Sequence, residues 1–377
     1  SDKICNTSDD AVAGSLIVKF GEEAIPSLEQ NALNAAKTRS ALTRSGIESV
    51  DDILNDLHVT SLERVFPEAG EHEARTRAAG LHRWYVLGFA SEEDLDKAAE
   101  RLAGVAEISK VQFRTRLYRA SDCKTYPFQA TANGQTRALV TADFNDPNLF
   151  WQWHYINNAD QAVATTSVAG ADINVADAWK LTAGNPEVIV AIVDEGVKYT
   201  HPDLAANMWI NPNPSPEYKN QDIHGWNFAA DGPISWGQKG DSGHGTHVAG
   251  TVAAVNNNGI GVCGIAGGDG TPGSGVRLMS CQIFDEPGRD AATIEEIMVW
   301  TADHGAVISQ NSWTYVPGLP DLSQSGKAAI DYFIKYAGCD ENGNQTGPMK
   351  GGIVIFAAGN DGISDPVFPG AYEKVVA

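Results

Sequence analysis

Val188-Ile189-Val190-Ala191-Ile192-Val193-Asp194-Glu195-Gly196 joins an apolar run to an acidic turn. A continuous, mostly β-branched apolar run suits a strand buried on both faces of a parallel sheet. Asp194 closes it, and a carboxylate at the end of such a strand is costly to desolvate without a partner. A second stretch, Asp241-Ser242-Gly243-His244-Gly245-Thr246-His247-Val248-Ala249-Gly250, places a histidine 50 positions after Asp194. His244 opens a helix in which Gly243, Gly245, Ala249, Gly250 and Ala253 allow tight packing against neighbouring backbone. An Asp that holds a His in one tautomer is what a general base requires.

Outward from these stretches the chain alternates between β and α patterns. Val175–Leu181 reads as a short amphipathic helix, His244–Val255 and Thr293–His304 as helices, and Val276–Phe284 and Ala306–Gln310 as strands. Helix Gly326–Ala337 leads to strand Gly352–Ala357, and Lys374–Ala377 begins another. This is an α/β pattern with a mostly parallel sheet. Functional residues in such folds lie past the carboxyl ends of strands, where Asp194 and Asn360 both fall.

The first part of the chain differs. Gly14–Phe20 reads as a strand, Ser27–Leu57 as largely helical, and His58–Phe66 and Trp84–Phe89 as strands. Ser91-Glu92-Glu93-Asp94 has the form of a capping box opening a helix to Leu102, and Val105–Tyr118 is a last strand. That order predicts a split βαβ, ferredoxin-like α+β unit. The turn-rich 121–145 region reads as a linker, which divides the chain into 1–120, 121–145 and 146–377.

Bulk properties narrow the function. The net charge of −21 argues against binding a nucleic acid, which needs a basic surface. No apolar run is long enough for a membrane span. The five cysteines are an odd number without metal-type spacing. Cys263 and Cys281 lie in apolar stretches and read as buried thiols; Cys5 and Cys123 lie in polar sequence, where a bridge is not deducible. His244 and His247 are three apart, without the Glu and the four-residue spacing of a zinc protease motif, so metal ligation by this pair is disfavoured.

Four blocks in register carry a resemblance. Asp194-Glu195-Gly196, His201-Pro202-Asp203-Leu204, the His244 block and Ala357-Ala358-Gly359-Asn360-Asp361-Gly362 together resemble subtilisin-like serine peptidases over roughly residues 145–377. The resemblance implies a subtilisin-like sheet with helices on both faces. It makes His244 the general base, Asp194 its orienting partner and Asn360 the oxyanion donor. Ser312 matches the serine of the substrate-binding strand, although Trp313-Thr314-Tyr315 follow it where relatives have small residues. Gly359 belongs to the same binding region. Val367, before Phe368-Pro369-Gly370, matches the base of the primary pocket, where an apolar side chain disfavours charged substrate residues.

The resemblance also implies a structural Ca2+, held by Asp203 and Asn258 through side chains and by Val255, Ile260 and Val262 through carbonyls. Gln152 adds a ligand from near the mature amino end. Hard oxygen donors on a tight loop suit this ion. Residues 1–120 resemble the family's propeptide in position and element order, with processing expected within 119–145. The chain opens on Ser1-Asp2-Lys3 without a signal peptide, which leaves a cytosolic protein or one whose signal was removed; the resemblance implies export, to the cell surface, periplasm or medium.

In relatives the nucleophile follows the oxyanion Asn by several dozen residues, in a Gly-Thr-Ser-Met-Ala-type block. Only 17 residues follow Asn360 here, and their one serine, Ser364, sits in a polar turn and is rejected. The expectation is an endopeptidase proenzyme whose serine lies on a C-terminal fragment acting as its partner. The alternative is a non-catalytic relative that binds a protein partner through its cleft.

Overall fold

The computed structural model describes residues 2–120, 144–160, 166–286 and 292–377. In chain order the elements are β1 (Ala11–Phe20), α1 (Ile25–Thr38), α2 (Glu48–Asp56), β2 (Ser61–Arg64), α3 (Glu73–Ala78), β3 (Trp84–Gly88), α4 (Leu95–Ala103), β4 (Ile108–Thr115) and β5 (Tyr118–Arg119). They continue with α5 (Val175–Trp179), β6 (Ile189–Asp194), β7 (Gly225–Asn227), α6 (His244–Ala253), β8 (Arg277–Gln282), α7 (Ile294–Asp303), β9 (Ile308–Asn311), β10 (Trp313–Thr314), α8 (Gln324–Tyr336) and β11 (Ile353–Phe356). Two compact units emerge, and they do not follow chain order. One comprises Ser1–Ser121, Thr293–Gly305 and Ser312–Ala377; the other comprises Asp122–Ala292 and Ala306–Asn311.

The first unit contains a four-stranded sheet of order β2-β3-β1-β4, antiparallel at every pairing. Alternation along β1 sends Leu16, Val18 and Phe20 into a core with Leu28 of α1, Leu54 of α2 and Leu102 of α4. Burying one such side chain contributes about 1.5–3 kcal/mol. The predicted Ser27–Leu57 helix is two helices. Asp51 accepts from the Ser45 and Gly46 amides, and Gly46 takes a left-handed φ of 78°, so a loop stable in its own right interrupts the helix. Helix α4 is capped by Asp94, which accepts from the Lys97 amide, rather than by Ser91. The short helix α3 was not read from the sequence.

The same unit holds α7, α8, β10 and β11. Arg75 of α3 is buried against these helices. It donates to the Tyr332 hydroxyl (2.7 Å), the Cys339 carbonyl (2.9 Å) and the Asp303 carboxylate (2.6 Å). Gln112 of β4 donates to the Ser325 hydroxyl, which donates to the buried Glu295 carboxyl. Burial raises the Glu295 pKa, while the Ser325 hydroxyl bond and the Arg114 charge pull it back. The terminal Lys374–Ala377 segment meets β11 through a parallel bridge between Ile355 and Val376.

The second unit is built on strands ordered β9-β6-β8-β7, parallel at each pairing. Val190, Ala191, Ile192 and Val193 of β6 are all buried, as a strand covered on both faces demands. Ala249 and Ala253 of α6 pack with Val190, Ile192 and Leu278; their small side chains let the helix lie close to the sheet. Cys263 and Cys281 are buried free thiols. Cys123 and most of the expected linker, residues 121–143, lie outside the described residues. Among the described residues, no helix is long and apolar enough to cross a membrane.

Candidate active site

Strand β6 ends on Asp194, and α6 begins on His244, so both groups are set by element termini in one unit. The His244 Nδ1 lies 2.8 Å from Asp194 Oδ1 and 2.9 Å from Oδ2. Asp194 is 2% exposed, whereas the His244 side chain keeps 18% of its surface. One Asp194 oxygen also accepts from the Glu195 amide at 2.7 Å. With Nδ1–H given to the carboxylate, Nε2 carries the lone pair and can take a proton.

The local glycines explain how the two elements come so near. Gly243 precedes α6 with φ of 74°, a left-handed conformation that costs glycine little. A Cβ on Gly245 would collide with the Glu195 carbonyl oxygen. The helix start therefore rests directly on the backbone that follows Asp194.

Glu195, next to Asp194 in the same motif, faces the start of α6. It is 2% exposed, and its carboxylate accepts from the Ser242 amide (3.1 Å), the Ser242 hydroxyl (3.0 Å) and the His244 amide (3.0 Å). These donors stand 47 and 49 positions away, too far for a local capping signal to announce.

The residues matched to substrate binding and to the oxyanion lie in the first unit. Strand β10 pairs antiparallel with β5, Trp313 opposite Arg119 and Thr314 opposite Tyr118. The pairing extends to Ala120, whose amide donates to the Ser312 carbonyl at 3.3 Å. The Asn360 side-chain amide donates to the Ala120 carbonyl at 2.8 Å. Ser312 and Asn360 thus grip the two polar groups of one residue. The Trp313 main chain pairs with Arg119, and its fully buried indole packs edge-on against Phe356. Gly359 has φ of 95° with open space at its Cβ position. Val367 is buried beside Phe368, whose carbonyl accepts from the Tyr315 amide.

The residues proposed for a metal come together only in part. Asp203 is buried; its carboxylate accepts from Asn258 Nδ2 (2.7 Å) and the Val262 amide (2.9 Å), and its main-chain carbonyl from the Val255 amide. The Ile260 amide donates to Asn258 Oδ1. Gln152 is turned to Cys263, exchanging both amide hydrogen bonds with that residue's main chain. A second buried carboxylate, Asp146, accepts from the Asn257 amide at 2.6 Å. Burial, with repulsion from Asp146 adding to it, raises the Asp203 pKa. Both acids accept from donors of the 257–263 segment, so a cation would take the carboxylate oxygens that these donors now hold. Asn258 has to present its oxygen in place of its nitrogen for that purpose.

A profile of the Subtilase family matches residues 185–377. The chain belongs to the subtilase family. Its similarity extends to neuroendocrine convertase 2 of Bos taurus, 29% identical over 83% of this chain and 44% of that protein. Thermitase of Thermoactinomyces vulgaris is 31% identical over 54% of the chain and 58% of the relative. Fervidolysin from Fervidobacterium pennivorans superposes with a TM-score of 0.58 at 19% identity, over 98% of this chain and 43% of that one; this supports the fold alone. The subtilase chain spans less than half the length of the convertase it matches.

Proposed function

We propose that the protein is an exported serine endopeptidase made as a proenzyme, in which residues 1–120 serve as a ferredoxin-like propeptide. The observation that carries the peptidase reading is the buried Asp194 carboxylate holding His244 Nδ1. In the reaction, His244 Nε2 takes the proton of a serine hydroxyl as its oxygen attacks the substrate carbonyl carbon. The resemblance assigns Asn360 to the oxygen that becomes negative. Nε2 then returns the proton to the departing amine, leaving an acyl-enzyme that water opens by the same steps in reverse. Asp194 fixes the tautomer and stabilises the imidazolium.

We place the serine on a segment outside these 377 residues, consistent with the greater length of the relatives. The grip of Ser312 and Asn360 on Ala120 supports a tail seated as a substrate and a processing cut between Ala120 and Ser121. Antiparallel pairing supplies main-chain affinity for an extended peptide. A small apolar residue at the gripped position agrees with the apolar Val367 assigned to the pocket.

Ca2+ is proposed as a structural ion: Asp203 and Asn258, with the carbonyls of Val255, Ile260 and Val262, would hold it and fix their loop. Gln152 would join after leaving Cys263.

The test is to express the protein with its downstream region and assay peptide hydrolysis in the native and His244→Ala forms. Hydrolysis by the first alone supports the reading; equal rates in both contradict it.

A further inference from the structure

His244 is the first residue of α6, where the helix dipole and the unpaired amides present a positive end. That position opposes the imidazolium a general base must form. The carboxylate of Glu195 lies on this end, taking the amides of Ser242 and His244 and the Ser242 hydroxyl. Asp194 accepts from the ring itself, through Nδ1. The remaining titratable groups at the start of this helix are Asp241, which accepts from the Gly243 amide, and His247, exposed one turn along.

We propose that Glu195 is a positioning residue that acts on His244 in two ways. It anchors the start of α6, so that the imidazole meets Asp194 in one place, and its negative charge offsets the helix dipole, so that the base holds its proton better. The first role is mechanical and the second electrostatic, and they separate under substitution. Glu195→Gln keeps the volume and one acceptor oxygen while removing the charge. Glu195→Asp keeps the charge with a shorter reach.

A charge near a helix terminus contributes roughly 0.3–1 kcal/mol, up to about 2 when partly buried, and one pKa unit is about 1.4 kcal/mol. Glu195→Gln is therefore expected to lower the His244 pKa by roughly 0.2–0.7 unit, and by at most about 1.4. The experiment is a proton NMR titration of the His244 ring in the 377-residue chain and both variants, with circular dichroism to confirm folding. This arm needs no nucleophile, so it stands or falls separately from the peptidase reading. In the serine-complete protein the kinetic arm rests on that reading: the acid limb of kcat/KM should move down by the same amount, with kcat falling more than KM changes. A His244 pKa unchanged in a folded Gln variant overturns the proposal. A Glu195→Asp variant that lowers it as far as Gln does overturns the electrostatic role, since reach and not charge would then be responsible.

Discussion

The side-chain amide of Asn360 donates to the main-chain carbonyl of Ala120 across 2.8 Å and 240 residues of sequence. With the Ala120 amide on the Ser312 carbonyl, both main-chain polar groups of Ala120 are engaged, and in the proposed proenzyme this is the position of a substrate residue. If this describes the proenzyme, Asn360→Ala should slow both processing and peptide turnover by about 10²–10³, with KM little changed. Kinetics on a short peptide, alongside intact-mass analysis of the processed chain, checks both.

Ala120→Pro removes the amide that Ser312 accepts. The expected outcome is loss of the amino terminus at Ser121 among processed products, while cleavage of an added peptide by already mature enzyme is unaffected. Terminal sequencing reads the first and a fluorogenic assay the second.

Much of the second unit was legible. A run such as Val188–Val193 admits little besides a doubly covered strand, and Gly243-His244-Gly245 marks a helix that must approach closely. The roles of Glu195 and Ala120 were not, because each depends on partners dozens or hundreds of positions away. Strand β7 is three residues long, and α3 is polar around a single buried arginine, so neither leaves a periodic trace. The helix expected to run from Ser27 to Leu57 breaks because side-chain acceptors such as Asp51 compete with the helical backbone.

Arg75 should be a point of high cost. Its side chain is 2% exposed and that of Asp303 8%, so Arg75→Met strands a buried carboxylate and should destabilise the chain by about 3–5 kcal/mol. The double variant Arg75→Met with Asp303→Leu should recover most of it. Urea unfolding of the three proteins makes the comparison.

Glu295 gives a pH signature. Its pKa is raised in the folded chain, chiefly by burial, so the folded state binds this proton more tightly than the unfolded state. Its contribution to stability is fully present below the ordinary glutamate value and is lost as pH rises through the raised folded value. Glu295→Gln should flatten that part of the curve. Urea midpoints measured across that window for both proteins check the sign.

Calcium should raise the thermal midpoint of the chain through the Asp203 loop, and a chelator should reverse it. Asp203→Asn should abolish the response. A midpoint indifferent to calcium would remove the ion from the account.

In the proposed proenzyme the imidazole steered by Asp194 activates a serine that opens the peptide bond after Ala120. Mass spectrometry of the serine-complete protein and its His244→Ala variant, each purified alone, tests it most directly. A new amino terminus at Ser121 is expected in the first and an intact chain in the second. The same cut at the same rate in both would contradict it.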